Sequence, residues 1–198
     1  MNPSEEEAEA TERRSILRTL RLERVTTGVI SASASLIAIA ALVTAIYQTK
    51  LARDQAHAAV WPYLILGNSG EHGYARIVQN LGLGPAIIRS FEVHVNGHPV
   101  RSWKEAADSM HITLTWRDHK QTTFARGLVA PVGAEMDLLS LPDSADVRVW
   151  RTALNNNRLE TFVCYCSLYG ECWNGTNAPS EPRPVKACVE NPARAFTE

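Results

Sequence analysis

One uncharged stretch constrains this chain more than any other feature: VTTGVISASASLIAIAALVTAIYQT, from Val25 to Thr49, contains no Asp, Glu, Lys or Arg. Its apolar part, residues 25–47, would be about 34 Å long as a helix, enough to cross the hydrocarbon layer of a bilayer. A cleaved signal peptide has a shorter apolar part of about 7 to 15 residues. A buried soluble helix would need a larger surrounding core than this chain offers. We therefore predict a retained transmembrane helix over residues 25–47.

The basic residues around the predicted span indicate its orientation. Five arginines precede the span, whereas the first twenty residues after it carry only Lys50 and Arg53. Short segments rich in Lys and Arg stay on the cytoplasmic side. We therefore predict a cytoplasmic N-terminus and place everything after the span outside, in a periplasm or its equivalent. The five residues are Arg13, Arg14, Arg18, Arg21 and Arg24.

The segments on either side of the span are also predicted to be helical. Residues 1–24 are rich in strong helix formers and form a predicted cytoplasmic helical segment. The alternative is a frayed tail that becomes helical only near the bilayer. Residues 48–60 keep the helical pattern and form a predicted stalk. It ends before Pro62, because proline disfavours helix in the residue that precedes it.

Beyond the stalk, residues 61–198 contain short β-branched or aromatic-rich runs separated by Gly, Pro, Asn and Asp, which is typical of strands. Seven such runs in about 110 residues predict a β-sandwich-like domain, so the chain is mainly β behind one long N-terminal helix. Asn96-Gly97 predicts a hairpin turn. Ser102 and Glu105 predict a capping box that begins the one short helical insertion. The predicted strands are 63–68, 74–80, 86–95, 111–117, 135–141, 146–154 and 160–166.

Two short motifs lie near the start of this domain: AAVWPYL, which follows the N-terminal span, and NLGLGPA, which precedes a long strand. Together with the cysteine-rich strand, they resemble a group of uncharacterised bacterial single-pass membrane proteins with an exported β-domain. The resemblance covers motifs between about Gln55 and Ala86. It implies a bacterial host, and with it the inner membrane as the location, and it implies no activity.

Motifs that carry catalysis are absent from the sequence: there is no P-loop, GxSxG, HExxH, Rossmann glycine fingerprint or EF-hand loop. Gly82 and Gly84 of GLGPA are followed by a proline and a strand, whereas a phosphate site needs a helix N-terminus, so we interpret them as a turn. Residues 61–198 carry 13 Lys and Arg against 14 Asp and Glu in mixed order. That mixture gives no indication of the clustered basic surface that nucleic acid requires. We predict no enzyme, no cofactor and no nucleic-acid partner.

Six histidines raise the question of a metal site. His94 and His98 flank the predicted hairpin turn. The register of that hairpin sets His94 opposite Pro99 and His98 opposite Val95, so the two histidines are not directly paired. We interpret them as solvated or half-buried strand residues and predict no metal site. A two-histidine site completed by a distant carboxylate is the alternative.

The four cysteines are predicted to form two disulfides, because an even number outside the cytoplasm favours bridges. Cys164 and Cys166 lie on one face of a strand about 6.6 Å apart, near the upper limit for a bridge. A three-residue loop over 168–170 sets Cys166 opposite Cys172 at bridging distance and leaves Cys164 for Cys188. A thiol redox pair and a metal site are the alternatives. Both are weakened by the spacing, which has no zinc-type C-x2-C knuckles and no C-x-x-C at a helix start.

A stripe of small or amide side chains follows the predicted helix at alternating steps of three and four residues. Such a stripe lets helices approach closely in lipid, and its two glutamines continue it into water in the same register. It predicts a helix–helix contact with a second copy or a partner membrane subunit. Chance is the alternative, because Ala, Ser and Gly fill ten of the 23 span positions. The stripe consists of Ser31, Ala34, Ala38, Ala41, Ala45, Gln48, Ala52, Gln55 and Ala59.

Three classes of function fit these features. The first is a membrane-anchored extracytoplasmic interaction module, an accessory or self-assembling subunit of an envelope complex, which requires nothing beyond them. The second is a transmembrane sensor, although its 24 cytoplasmic residues hold no recognisable output domain. The third is a cysteine-based metal or redox protein. We predict the first class.

Overall fold

A single long helix, α1, occupies Pro3–Ala59 of the computed structural model. The structure describes residues 3–70, 73–178 and 180–198, and for residues 3–23 and 25 only the backbone is described. The first two residues of the predicted cytoplasmic segment, and all its side chains except that of Arg24, therefore lie outside the described part. The chain divides into two compact units, residues 1–54 and 55–198.

Within α1, the part from Thr26 to Ala59 is long and apolar enough to cross a membrane, and its most apolar stretch has no residue buried within the protein. Four hydroxyl side chains there donate to backbone carbonyl groups three or four residues earlier. This pattern satisfies their polar groups inside the helix, as lipid surroundings require. The four are Ser33, Ser35, Thr44 and Thr49.

Residues 55–198 form two antiparallel sheets in the part that the structure describes. The strands are β1 (Leu64–Ser69), β2 (Tyr74–Asn80), β3 (Ala86–Val95), β4 (His98–Val100), β5 (Val129–Ala130), β6 (Glu135–Leu141), β7 (Leu159–Cys166), β8 (Cys172–Thr176) and β9 (Arg183–Val185). The first sheet has the order β1-β2-β6. The second has the order β4-β3-β7-β8-β9, and β5 pairs with the first residues of β3. The predicted fold class, a mainly β domain behind a long apolar helix, is confirmed.

The two sheets share one apolar core with two short helices, α2 (Trp103–Ser109) and α3 (Ser144–Asn156). Val78 of the first sheet and Val93 of the second are both fully buried. Trp103 of α2 and Trp150 of α3 are also buried, and their rings meet edge to face at 6.4 Å. Alternation of buried and half-buried residues along β2 and β3 explains why their sequences were recognisable as strands.

The local predictions around the hairpin are confirmed. His94 lies opposite Pro99, and both turn residues, Asn96 and Gly97, have positive φ, as a two-residue hairpin turn requires. Ser102 caps α2 by accepting the backbone N–H of the third helical residue at 3.1 Å. In a capping box the Glu105 carboxylate would accept the backbone N–H of Ser102. Here it accepts the backbone N–H of the preceding residue, Arg101, so this second bond is displaced by one residue.

The predicted strand over residues 146–154 is wrong, because this segment is part of α3. The buried residues Asp146, Trp150 and Ala153 follow steps of four and three, which is the helical period. Asp143 begins the helix by accepting the backbone N–H groups of Asp146 and Ala145, and these bonds hold the pKa of its carboxyl below the usual value. The prediction of one helical insertion is corrected accordingly: the described domain has two short helices.

The predicted strand over residues 111–117 is also wrong, because this segment has no regular structure. Its backbone bonds to a side chain in place of a neighbouring strand: the Asp146 carboxylate accepts from the nitrogens of Thr115 and Trp116 at 2.9 and 3.0 Å. His111 and Trp116 have positive φ, a conformation that interrupts an extended strand. The remaining five predicted strands correspond to β1, β2, β3, β6 and β7.

Candidate functional sites

The four cysteines form two disulfides with the predicted pairing. Cys164 is bonded to Cys188, and Cys166 to Cys172. Cys166 and Cys172 are directly opposite each other on β7 and β8. Beyond this pair, Ser167 N donates to the carbonyl oxygen of Glu171 at 2.8 Å and closes the predicted three-residue loop over 168–170. Its last residue, Gly170, has a φ of 81°, the left-handed conformation that such a loop requires.

The two disulfides lie against each other. Sγ of Cys166 is 3.8 Å from Sγ of Cys188, and the sulfurs of Cys166, Cys172 and Cys188 are all within 4.8 Å of one another. A metal ion would bind thiolates. All four cysteines lie in the described part of the chain and none of them is free. The cluster as it stands is therefore a pair of covalent links and offers no thiolate ligand.

The bridge to Cys188 holds the C-terminal tail beside the second sheet. A cleft of about 390 Å³ lies there, and its lining includes Glu92, His94, Phe162 and Arg194. His94 bonds to Glu92 at 2.9 Å and its ring lies 4.9 Å from that of Phe162. This histidine is thus half-buried and has a carboxylate partner on its own strand, in agreement with the prediction of a strand histidine.

The junction, residues 57–63 with residues 80–84, is where α1 ends and the β-domain begins, and Asn80 is its central side chain. This residue is completely buried. Its Oδ1 accepts the backbone N–H groups of Tyr63 at 3.3 Å and Gly82 at 3.0 Å. Its Nδ2 donates to the carbonyl oxygens of Gly84 at 2.9 Å and Ala130 at 3.0 Å. One amide therefore satisfies four backbone groups and joins three segments of the chain.

The glycines of the junction allow the two backbones to touch. A Cβ added to Gly84 would overlap the carbonyl oxygen of Val60. A Cβ added to Gly82 would overlap the backbone of residues 61–63. The close approach also permits a backbone bond from Leu83 N to the Trp61 carbonyl oxygen at 2.8 Å. The interpretation of GLGPA as a turn is therefore correct. Its glycines fit the last turn of α1 and the WPY segment against the domain.

A second contact secures the end of α1. Nδ1 of His57 lies 2.8 Å from the carboxylate of Glu171, and its ring stacks on Tyr169 with centroids 4.3 Å apart. Sequence reasoning missed this contact, because the partners are 114 positions apart and the sequence contains no signal that links them. The compact unit therefore begins at Gln55, before the predicted domain start at Trp61.

The predicted stripe lies on exposed positions of α1. Its nine residues, Ser31, Ala34, Ala38, Ala41, Ala45, Gln48, Ala52, Gln55 and Ala59, are all exposed. Near the junction, Ala56, His57 and Val60 are partly buried, whereas Gln55 and Ala59 of the stripe are not. The side of the last helical turns that contacts the domain is thus distinct from the side that carries the stripe.

Two buried ionisable side chains connect the sheets. Burial raises the pKa of Tyr165 to about 12, and its hydroxyl oxygen accepts the backbone N–H of Leu64 at 3.2 Å. Burial also lowers the pKa of Arg76, whose guanidinium donates to the Thr161 hydroxyl at 2.6 Å and to Asn68 at 3.0 Å. Both side chains link the first sheet to β7, so their perturbed ionisation has a structural cause.

No protein-family model, curated protein or solved structure matches this chain. A function for it is therefore inferred from the geometry of the stripe, the junction and the disulfides.

Proposed function

We propose that this chain is a membrane-anchored extracytoplasmic interaction module, an accessory or self-assembling subunit of an envelope complex. Residues 25–47 cross the membrane once, and the domain behind them contacts other proteins. The helix stripe is the contact surface within the bilayer and just outside it. Neither catalysis nor a cofactor is assigned to the chain.

One observation carries the proposal: the end of α1 is attached to its own domain by one side and leaves the stripe side uncovered. Ala56, His57 and Val60 are partly buried, whereas Gln55 and Ala59 are exposed. Close packing against another helix requires a row of small side chains that nothing else covers, and the stripe side of α1 provides such a row.

The compartment follows from charge and redox chemistry. The arginine-rich flank before the span supports a cytoplasmic N-terminus. Two disulfides in the domain support an oxidising compartment, since cytosolic thiols are kept reduced. With the bacterial host that the sequence motifs imply, we assign the chain to the inner membrane, with the domain in the periplasm.

Crosslinking in native membranes tests the helix contact. Replacing Ala38 and Ala41 together by leucine fills the stripe and should reduce the crosslinked product several-fold. Ala40→Leu, off the stripe, should leave it unchanged. Mass spectrometry of the product identifies whether a second copy or a partner subunit is attached. Equal crosslinking by both variants and the unmodified chain would refute the helix interface.

The junction favours one alternative, a transmembrane sensor. Its hydrogen bonds around Asn80 and the His57–Glu171 contact couple the domain to the end of α1, as signal transmission through the helix requires. Deleting residues 1–20 discriminates the two functions. The interaction module should keep its crosslinked product after the deletion, whereas a sensor should lose its cytoplasmic response.

A further inference from the structure

The domain has one end with several exposed apolar side chains and few charges. Of the ten large apolar side chains that the structure describes as exposed in residues 55–198, six lie there. The β2–β3 and β5–β6 loops over residues 81–85 and 131–134 contain no Asp, Glu, Lys or Arg. The one charged residue of the β7–β8 loop over residues 167–171 is Glu171, whose carboxylate contacts His57. We call this surface the apolar end; it consists of Trp61, Leu81, Leu83, Val132, Leu168 and Tyr169.

Contacts within the domain bring these loops together. The β7–β8 loop reaches the end of α1 through Tyr169, whose ring stacks on His57. The β2–β3 loop bonds to Trp61. The β5–β6 loop bonds to Asn80 through Gly133 N at 2.9 Å. The apolar end is therefore one surface around the point where α1 joins the domain.

The size of the apolar end indicates an interface. Leu83 is 69% exposed and Leu168 is 60% exposed. Six side chains of this size, each about half exposed, present roughly 600 Å², the upper limit for the largest apolar patch on a typical monomer. A standard protein interface buries about 800 Å² on each partner. The apolar end supplies most of that area, and the adjacent exposed positions of the stripe, Gln55 and Ala59, supply more.

Lipid is a poor occupant for this surface. The helical segment of twelve residues that follows Tyr47, the end of the predicted span, runs to Ala59 and includes Lys50, Arg53 and Asp54. As a helix this segment is about 18 Å long, which exceeds the headgroup layer of roughly 5 to 8 Å on one side of a bilayer. A protein surface is the better partner.

We infer that the apolar end binds the apolar end of a second copy of this chain. A surface whose one loop carboxylate, that of Glu171, is already bonded to His57 of its own chain meets an identical copy with little like-charge repulsion, as a two-fold interface requires, because each residue there faces the same patch. The stripe ends at Ala59, two residues before Trp61, so the two proposed contacts adjoin along the chain. The inference rests on the proposed interaction function and adds that the partner of the domain is a second copy of the chain.

Photo-crosslinking of the full chain in native membranes tests this inference. A benzophenone amino acid at position 83, in cells that express two differently tagged copies, should give a product of twice the 21.9 kDa chain mass that carries both tags. The same probe at position 149, an exposed site on α3, should give no such product. The double variant Leu81→Gln/Leu83→Gln should weaken the dimer of purified chain in detergent roughly tenfold, whereas Val149→Gln should not.

Three results would overturn the inference. A product with a different protein would refute the second copy while retaining an interaction module. A lipid adduct, or no adduct with near-UV circular dichroism unchanged, would refute a protein interface at this surface. The helix contact has its own test at Ala38 and Ala41, so failure of the proposed function and failure of this inference are distinguishable.

Discussion

Replacing Asn80 by alanine removes the side chain that holds the junction together. Four hydrogen bonds are lost, two accepted by Oδ1 and two donated by Nδ2. Gly82, Gly84 and Ala130 at the other ends of three of these bonds are buried, so water does not readily replace the lost partner. We therefore expect Asn80→Ala to be among the most destabilising polar substitutions in the domain.

The magnitude depends on the number of bonds. Each contributes about 1 kcal/mol net, with a further cost when a buried partner is left unsatisfied. We expect the free energy of unfolding to fall by about 3 to 5 kcal/mol, a large share of the roughly 5 to 15 kcal/mol that stabilises a typical domain. With a urea m-value of about 2 kcal/mol/M, the unfolding midpoint should fall by about 2 M.

Tryptophan fluorescence during urea unfolding of the full chain in mild detergent measures this change. All five tryptophans lie at or after Trp61, so the signal reports on the domain. Asn174→Ala, at an exposed position of β8, is the matched control and should change stability by less than about 0.5 kcal/mol. Asn80→Asp should also destabilise the domain, because a carboxylate oxygen would replace the amide nitrogen that donates to the carbonyl oxygens of Gly84 and Ala130. Equal midpoints for Asn80→Ala and Asn174→Ala would refute the assigned role.

Gly84→Ala should lower the melting temperature by several degrees, because the added Cβ would overlap the backbone of Val60. Gly67→Ala should leave the melting temperature unchanged, because there is free space around Gly67. Equal melting temperatures for the two variants would contradict the close packing of Gly84 against α1. The folded-state pKa of Tyr165, raised to about 12, exceeds the unfolded value of about 10, so its contribution to stability is complete below pH 10 and is lost between about pH 10 and 12. Alkaline unfolding should therefore flatten in Tyr165→Phe, and an unchanged slope would contradict the raised pKa. Cys188→Ser opens a link of sequence separation 24 and should cost about 3.5 kcal/mol. Cys172→Ser, at separation 6, should cost about 2.3 kcal/mol. A larger loss of stability for Cys172→Ser than for Cys188→Ser in urea unfolding without reductant would contradict the explanation by loop entropy.

The sequence by itself determined the features that depend on neighbouring residues. The apolar run defines the long helix, because helix length and side-chain hydrophobicity are local properties. The Asn96-Gly97 turn and the loop over residues 168–170 fix the register of their strands, because loop length sets the pairing of a hairpin. Register in turn fixed the cysteine pairing, since it left Cys164 with a single partner.

Tertiary structure decided the features whose partners are far apart in the chain. Residues 146–154 have apolar residues at strand-like spacing, and they became a helix because Trp150 is buried against the core and Asp146 bonds to the backbone of residues 115 and 116. The motifs AAVWPYL and NLGLGPA were both visible, but their contact through Asn80 was not. Burial and hydrogen bonding between distant segments depend on the whole packed arrangement, and a local pattern contains no information about which distant backbone a buried amide or a glycine will meet.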